Sequence, residues 1–346
     1  MDKVEFRSYD SIVDCRSPAE YAEDHIPGAV SAPVLDDAER ATVGTLYKQV
    51  SPFEAKKLGA ALVAKNVARH MQTLFAGKDR GWRPLVYCWR GGKRSAAMAH
   101  ILREVGWDAQ TLAGGYRGYR RWVVAQLETI PQKLLFQVVH GPTGSGKSRL
   151  LGALRRAGAQ VLDLEGLAAH RGSVLGNLPH RPQPSQKWFE SQLLHQLSAL
   201  EPARPVYVEG ESKKIGQLQV PEALISAMRA SPCIVLDAAI EVRVSLLLEE
   251  YRHFIDQPEA LEAQLDCLVG LHGRDTIAGW KSLASRGAWR DFVALLLMEH
   301  YDPAYRRSSQ RNFAHLEAAP RIAIRSGNDE AFDAAARELL EDAVTA

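Results

Sequence analysis

Twice in this chain an apolar run ends in a glycine-containing, cation-bearing loop that opens directly onto a helix-forming segment. The loops are Tyr87-Cys88-Trp89-Arg90-Gly91-Gly92-Lys93-Arg94-Ser95 and Gly141-Pro142-Thr143-Gly144-Ser145-Gly146-Lys147-Ser148. Strand, glycine turn, helix is the local order of open α/β sheets, whose ligands sit in the crevice at the carboxyl ends of the strands. The pair of loops therefore calls for an α/β fold with two anion-binding centres. The first loop carries a thiol nucleophile and the second does not. A thiol ringed by backbone donors performs covalent chemistry, whereas a glycine loop closed by Lys-Ser holds a di- or triphosphate. A chain with both is expected to move a chalcogen and to handle a diphosphate or nucleotide.

With 346 residues, 46% of them hydrophobic, the chain has material for two cores, and Ile130-Pro131 breaks the helical pattern between the loops. We expect one domain over residues 1–130 and a second over 131–346, helical from about residue 240. The formal net charge is only +2, so an RNA-binding surface has to be a local patch rather than a global field. The segment Met1–Arg7 has no signal-peptide core, and no run approaches the roughly 20 apolar residues of a membrane span. A cytoplasmic protein without membrane contact is expected. Cys15, Cys88, Cys233 and Cys267 follow no metal-ligand spacing and are too few for a disulfide scaffold. Cys233 and Cys267, set among apolar residues, read as inert core thiols. Cys15 reads as a packed strand-end thiol, with a resolving role toward Cys88 as the alternative.

Ser11–Arg16 is a short apolar run ending in polar residues, Pro84–Cys88 is a second, bounded by Pro ahead and Gly91-Gly92 behind, and Ser95–Leu102 is helix-forming. Cys88 is thereby placed at a strand end facing a helix N-terminus. Consecutive N–H groups of the turn, the helix dipole and the cations Arg90, Lys93 and Arg94 all favour a thiolate. The same donors, with Gly91, Gly92 and Ser95, form a cradle for a tetrahedral oxyanion.

Leu134–His140 is a strand-like run leading into G-x-x-x-x-G-K-S, the setting a Walker A loop requires. Backbone N–H groups around Gly141, Gly144, Ser145 and Gly146 cradle phosphates, Lys147 adds a charge, and the Ser148 hydroxyl can ligate Mg²⁺. Two further apolar runs end in acids, Gln160–Glu165 and Pro205–Glu211. With the loop around Arg171 they make Asp163, Arg171, Glu209 and Glu211 the candidates for substrate or metal-side contact. Neither run is four hydrophobic residues followed by Asp, so hydrolysis of ATP or GTP does not follow from the sequence. No metal is assigned beyond Mg²⁺ at Ser148.

Between the strand of Asp14 and that of Cys88, an insertion holding Asp36, Asp37 and Glu39 runs through Thr42–Val50 into an amphipathic helix from about Phe53 to Val67. Tyr47 and Lys48 are candidates for substrate contact, packing being the alternative. Arg117, Arg120 and Arg121 interleave with Tyr116, Tyr119 and Trp122. That pattern suits an RNA backbone with aromatic platforms, or equally an amphipathic helix whose aromatics pack inward.

Asp14 and Arg16 after a strand, His25-Ile26-Pro27-Gly28-Ala29, the Cys88 loop with Arg94-Ser95, and Ala113-Gly114-Gly115-Tyr116 resemble, in order and spacing, the motifs of a rhodanese domain. Cys88 and Arg94 are six apart, one more than in the commonest sulfurtransferase loop, and this is similar to the Cys-x5-Arg-Ser signature of cysteine phosphatases. A rhodanese-like α/β domain ahead of a P-loop NTPase-like α/β domain with a helical C-terminal cap, carrying His170-Arg171-Gly172-Ser173 and Glu209–Gly216, resembles the bacterial tRNA 2-selenouridine synthases. The resemblance implies a selenotransferase and geranyltransferase acting on tRNA. It implies geranylation of wobble 2-thiouridine from geranyl diphosphate, then replacement of the S-geranyl group by selenium from selenophosphate. It further implies Cys88 as catalytic residue through a perselenide, no tightly bound cofactor, and a selenophosphate-supplying enzyme as partner. The residues alone leave open a sulfurtransferase with a nucleotide-binding regulatory domain, a Cys-x5-Arg phosphatase joined to a kinase-like module, and an RNA-binding adaptor.

Overall fold

The computed structural model describes residues 6–179 and 181–345. Residues 1–5, part of the segment read as lacking a signal-peptide core, lie outside the described residues. The chain divides into two compact units, one running up to Gln126 and including Pro184–His195, the other Leu127–Gln183 with Gln196–Ala346. The expected boundary at residue 131 missed the excursion of Pro184–His195. Nothing in the local pattern of the helix Gln186–Leu197 says which core it joins.

The first unit is built on a four-stranded parallel sheet of order β2-β1-β3-β4, with β1 Ser11–Asp14, β2 Val30–Ser31, β3 Pro84–Tyr87 and β4 Gln110–Thr111. Val13, Val86, Met98, Leu102, Trp82 and Trp107 make its core. The chain passes from β1 outward to β2 and returns to β3 on the other side, so the carboxyl ends of β1 and β3 flank a switch point. Cys88 follows β3 immediately. Residues 42–49, given no element by their sequence, are the later part of a helix Asp37–Gln49, started by a capping box in which Asp36 accepts from the Glu39 N–H at 2.7 Å and Glu39 accepts from the Asp36 N–H at 3.0 Å. The next helix, Pro52–Gln72, packs along it. Tyr47 stays exposed.

The second unit has a five-stranded parallel sheet of order β11-β10-β5-β7-β6: β5 Leu135–His140, β6 Gln160–Leu162, β7 Pro205–Glu209, β10 Cys233–Ala238 and β11 Arg321–Ile324. A small antiparallel hairpin joins β8 Lys214–Ile215 to β9 Leu218–Gln219. β5 is central, with β6 and β7 to one side and β10 to the other, which sets the switch point at the loop after His140. The helical region expected from about residue 240 runs from Ile240 to Asn312 around its own core of Leu247, Phe254, Leu261, Trp280 and Phe292. Beyond it the chain re-enters the sheet as β11, and the last helix, Asp329–Thr345, buries Phe332, Ala335, Ala336 and Leu339 against the helix Lys147–Arg156. A four-residue strand after a long helical stretch carries too little periodicity to be read in advance. Among the described residues no helix is long and apolar enough to cross a membrane.

Two anion cradles as candidate active sites

In the first unit, Cys88 is buried at 3% exposure, and its sulfur accepts a hydrogen bond from Ser95 Oγ at 3.2 Å. Burial by itself raises the thiol pKa. The Ser95 hydroxyl, the backbone N–H groups of Ser95 and Gly92, and the Arg94 charge outweigh it, so the pKa lies below the ordinary thiol value. The loop is oriented from behind. The Tyr116 N–H donates to the Cys88 carbonyl at 2.9 Å and the Arg117 N–H to the Trp89 carbonyl at 3.0 Å, both from the start of the helix Gly115–Thr129. That approach requires Gly115, at φ +54°: a Cβ there would lie 2.2 Å from the Gly91 nitrogen and 2.4 Å from the Cys88 oxygen.

The cations of this cradle are unequal. Arg90 and Lys93 are exposed, whereas Arg94 is half-buried and bound to Glu20 at 3.1 Å, which Arg40 also contacts. An incoming anion thus competes with Glu20 for Arg94. Arg16 is not part of the cradle: it is buried in a two-pronged bond to Asp14, 3.1 and 2.7 Å, with its guanidinium 3.8 Å over the Tyr116 ring. Cys15 is fully buried, donates to Met98 Sδ at 3.4 Å and is a free thiol. Burial, then the Asp14 charge, push its pKa well up, which disfavours a nucleophilic role.

The basic run divides by helix face. Tyr116, Tyr119, Val123 and Leu127 are buried along the inner face, so the two tyrosines are core and not stacking platforms. Arg120 turns inward too, donating to Glu190, to Ser191 Oγ at 3.2 Å and to the Lys187 carbonyl at 3.2 Å, with Asp24 at 3.6 Å. It thereby holds the excursion helix, where Trp188 also stacks on His25 at 4.0 Å. Only Arg117 and Arg121 of the three arginines remain exposed.

In the second unit, a cleft of about 660 Å³ opens over the P-loop. Gly141, Gly144, Gly146, Lys147, Ser148, Asp163, Arg171 and Glu211 line it. Ser145 and Glu209 do not; both are buried beneath it. Gly146 takes φ +85°, and a Cβ there would sit 2.3 Å from the Phe332 ring, so the last helix presses on the loop from below. Lys147 Nζ donates to the Gly141 carbonyl at 3.2 Å, and Ser148 Oγ donates to Glu165 Oε2 at 2.9 Å. Asp163 caps the helix Leu164–Ala168 by accepting from the Gly166 N–H at 2.7 Å. The Arg171 guanidinium lies 4.7 Å over Tyr251 and 3.6 Å from Glu250.

Glu209, at the end of β7, accepts from the Glu165 N–H at 2.7 Å, and burial with the charges of Glu165 and Asp163 drives its pKa well up. It holds the backbone that presents Glu165 and does not reach the cleft. Burial and the Glu165 charge push Glu211 up to about 8, against the pull of Lys147. His140 is neutral under the loop, pushed down to about 4 by burial and by Lys147. Glu165 and Glu250 also line the cleft. The first stood in an acid-ended run whose two acids sequence alone cannot rank, and the second is the last residue of the helix Ile240–Glu250, with no local signal. Cys233 is buried as expected, but Cys267 is exposed. It follows the helix Pro258–Asp266, whose inward positions are Leu261 and Leu265, so its apolar neighbours face away from it.

The family model for a rhodanese-like domain matches residues 2–121, and that for the tRNA 2-selenouridine synthase AAA domain matches residues 134–266. A protein of Nitrosomonas europaea named tRNA 2-selenouridine synthase is 38% identical over 69% of this chain and 63% of its own length. Its counterpart in Shewanella halifaxensis is 37% identical over 85% of this chain and 87% of its own. One in a Sulfurovum species is 31% identical over 94% of both chains. With both domain models in the same order and relatives matched nearly end to end, the chain belongs to the tRNA 2-selenouridine synthase family.

Proposed function

We propose that the protein is a transferase that converts wobble 2-thiouridine of tRNA to 2-selenouridine in two steps, one at each cradle. In the first, geranyl diphosphate lies in the P-loop cleft. The C1–O bond to diphosphate breaks, the thiouridine sulfur takes C1, and the base gives up its N3 proton. Backbone donors around Gly141–Gly146 and Lys147 stabilise the departing diphosphate. Four acids, Asp163, Glu165, Glu211 and Glu250, line the same cleft as Lys147, so a diphosphate needs countercharge. Ser148 and Glu165 would hold Mg²⁺ through their side-chain oxygens, and the ion would supply that charge.

In the second step selenophosphate, supplied by a separate enzyme, meets Cys88. Electron counting decides where the thiolate strikes. Selenium in selenophosphate is a selenide on pentavalent phosphorus. Its capture as a perselenide, the route implied by the resemblance, would leave phosphite unless an oxidant intervened. Attack at phosphorus is redox-neutral: an S–P bond forms, the Se–P bond breaks, and selenide leaves to displace geranylthiolate from C2 of the base. Water then discharges the phosphocysteine as phosphate. The Cys-x5-Arg spacing and the Ser95 donor on the sulfur fit a phosphoryl group in the cradle.

The observation that supports this reading is the thiol cradle and the separate P-loop in one member of this family. Nucleoside mass spectrometry tests it: thiouridine-containing tRNA, incubated with the protein and geranyl diphosphate and then selenophosphate, should yield first the geranylated and then the seleno nucleoside. Unchanged RNA would overturn it. Radiolabelled phosphorus retained on denatured protein, and absent from Cys88→Ser, tests attack at phosphorus; label that never appears even on rapid quenching returns the step to selenium.

A further inference from the structure

The helical region, to which the sequence assigns no chemistry, encloses an apolar pocket that opens onto the P-loop cleft. Thr143, Leu247, Tyr251 and Tyr301 line both spaces. Beyond them the wall is hydrocarbon, including Phe254, Leu261, Phe292, Val293 and Leu296. The pocket is held in register with the loop. A Cβ at Gly144 would lie 2.9 Å from Leu247 Cδ1, so the loop backbone packs directly on the pocket wall. Arg243, paired with Asp302 at 2.6 and 3.1 Å, donates Nε to the Thr143 carbonyl at 2.9 Å.

A phosphate cradle that empties into hydrocarbon is poorly suited to a nucleotide. A nucleobase pushed against such walls would lose water from its polar edges and find few partners, which is costly for each group left unpaired. An apolar chain loses nothing there and gains for each carbon buried. We propose that this pocket receives the hydrocarbon tail of the diphosphate substrate, and that Val293 and Phe292, with Leu261, set the chain length it accepts. Its cavity of about 50 Å³ has room for roughly four waters at 10–15 Å³ each. That is space for about one five-carbon isoprene unit, so the pocket suits the distal unit of a geranyl chain and excludes a long polyprenyl chain without rearrangement.

The inference rests on the reading of the P-loop as a diphosphate cradle, and direct binding tests it apart from transfer. Calorimetry on the full chain with Mg²⁺ should show geranyl diphosphate binding about a hundredfold more tightly than inorganic diphosphate. Val293→Phe, which fills the pocket, should cut that advantage by about tenfold or more and leave inorganic diphosphate unaffected. Phe292→Ala, which widens it, should improve binding of the farnesyl homologue relative to geranyl. Equal affinity for geranyl and inorganic diphosphate in the unmodified protein would overturn the inference, as would a chain-length preference that neither variant changes. A protein that binds geranyl diphosphate in this way yet leaves tRNA unalkylated keeps the pocket assignment and loses the transfer reading.

Discussion

The Ser95 hydroxyl lies 3.2 Å from the Cys88 sulfur, across the first turn of the helix Lys93–Val105, and is the foremost of the contacts that lower the thiol pKa. Removing it leaves burial less opposed. In Ser95→Ala the pH midpoint of Cys88 alkylation should move upward, and alkylation at neutral pH should slow several-fold. An unchanged midpoint would mean that the backbone donors and Arg94 suffice.

Substitutions at the two cradles should separate the two half-reactions. Cys88→Ser should abolish selenation and spare geranylation. Lys147→Ala should reduce geranyl transfer by about a hundredfold or more, while pre-geranylated tRNA should still be selenated. Equal loss of both activities in either variant, with the protein folded, contradicts the division of labour.

Gly115→Ala should damage the thiol cradle without touching its reactive groups. A methyl 2.2 Å from the Gly91 nitrogen has to displace backbone, at a cost of about 2–4 kcal/mol. Denaturant unfolding should show the loss, and selenation should fall before geranylation does. A variant with unaltered unfolding would show that the Gly114-Gly115 turn yields readily.

Glu211 gives the stability of the ligand-free protein a pH dependence of defined sign. Its folded-state pKa, about 8, lies above the ordinary glutamate value, so folding favours the protonated form. The stabilisation is present at low pH and is lost as pH rises through the interval from the ordinary carboxylate pKa to about 8. Glu211→Gln should therefore raise the melting temperature at pH 8 and change it little at pH 5. Equal effects at both pH values would assign the change to packing.

The two cradles were legible because each is a contiguous string whose residue types carry the local geometry: a strand too apolar to lie outside, glycines where the backbone must turn, cations and a helix start beyond. The rhodanese-like and P-loop folds follow from the same strings, since such a turn needs a parallel sheet behind it. The RNA-platform reading of Tyr116 and Tyr119 failed for a related reason. Their spacing fits one helix face equally well, and only the sheet decides whether that face is wet.

By itself, then, the sequence determined which residues could bind anions, where the nucleophile stands and what order of elements presents them. Tertiary structure decided the rest. Arg94 is shared with Glu20, Arg120 holds a helix from 70 residues away at Glu190, Glu209 is buried while Glu165 faces the cleft, and a helical region without motifs becomes the apolar wall beside the P-loop. Each of these depends on contacts between segments far apart in the chain. Burial and charge pairing are set by what lies opposite in space, and a linear pattern does not encode that.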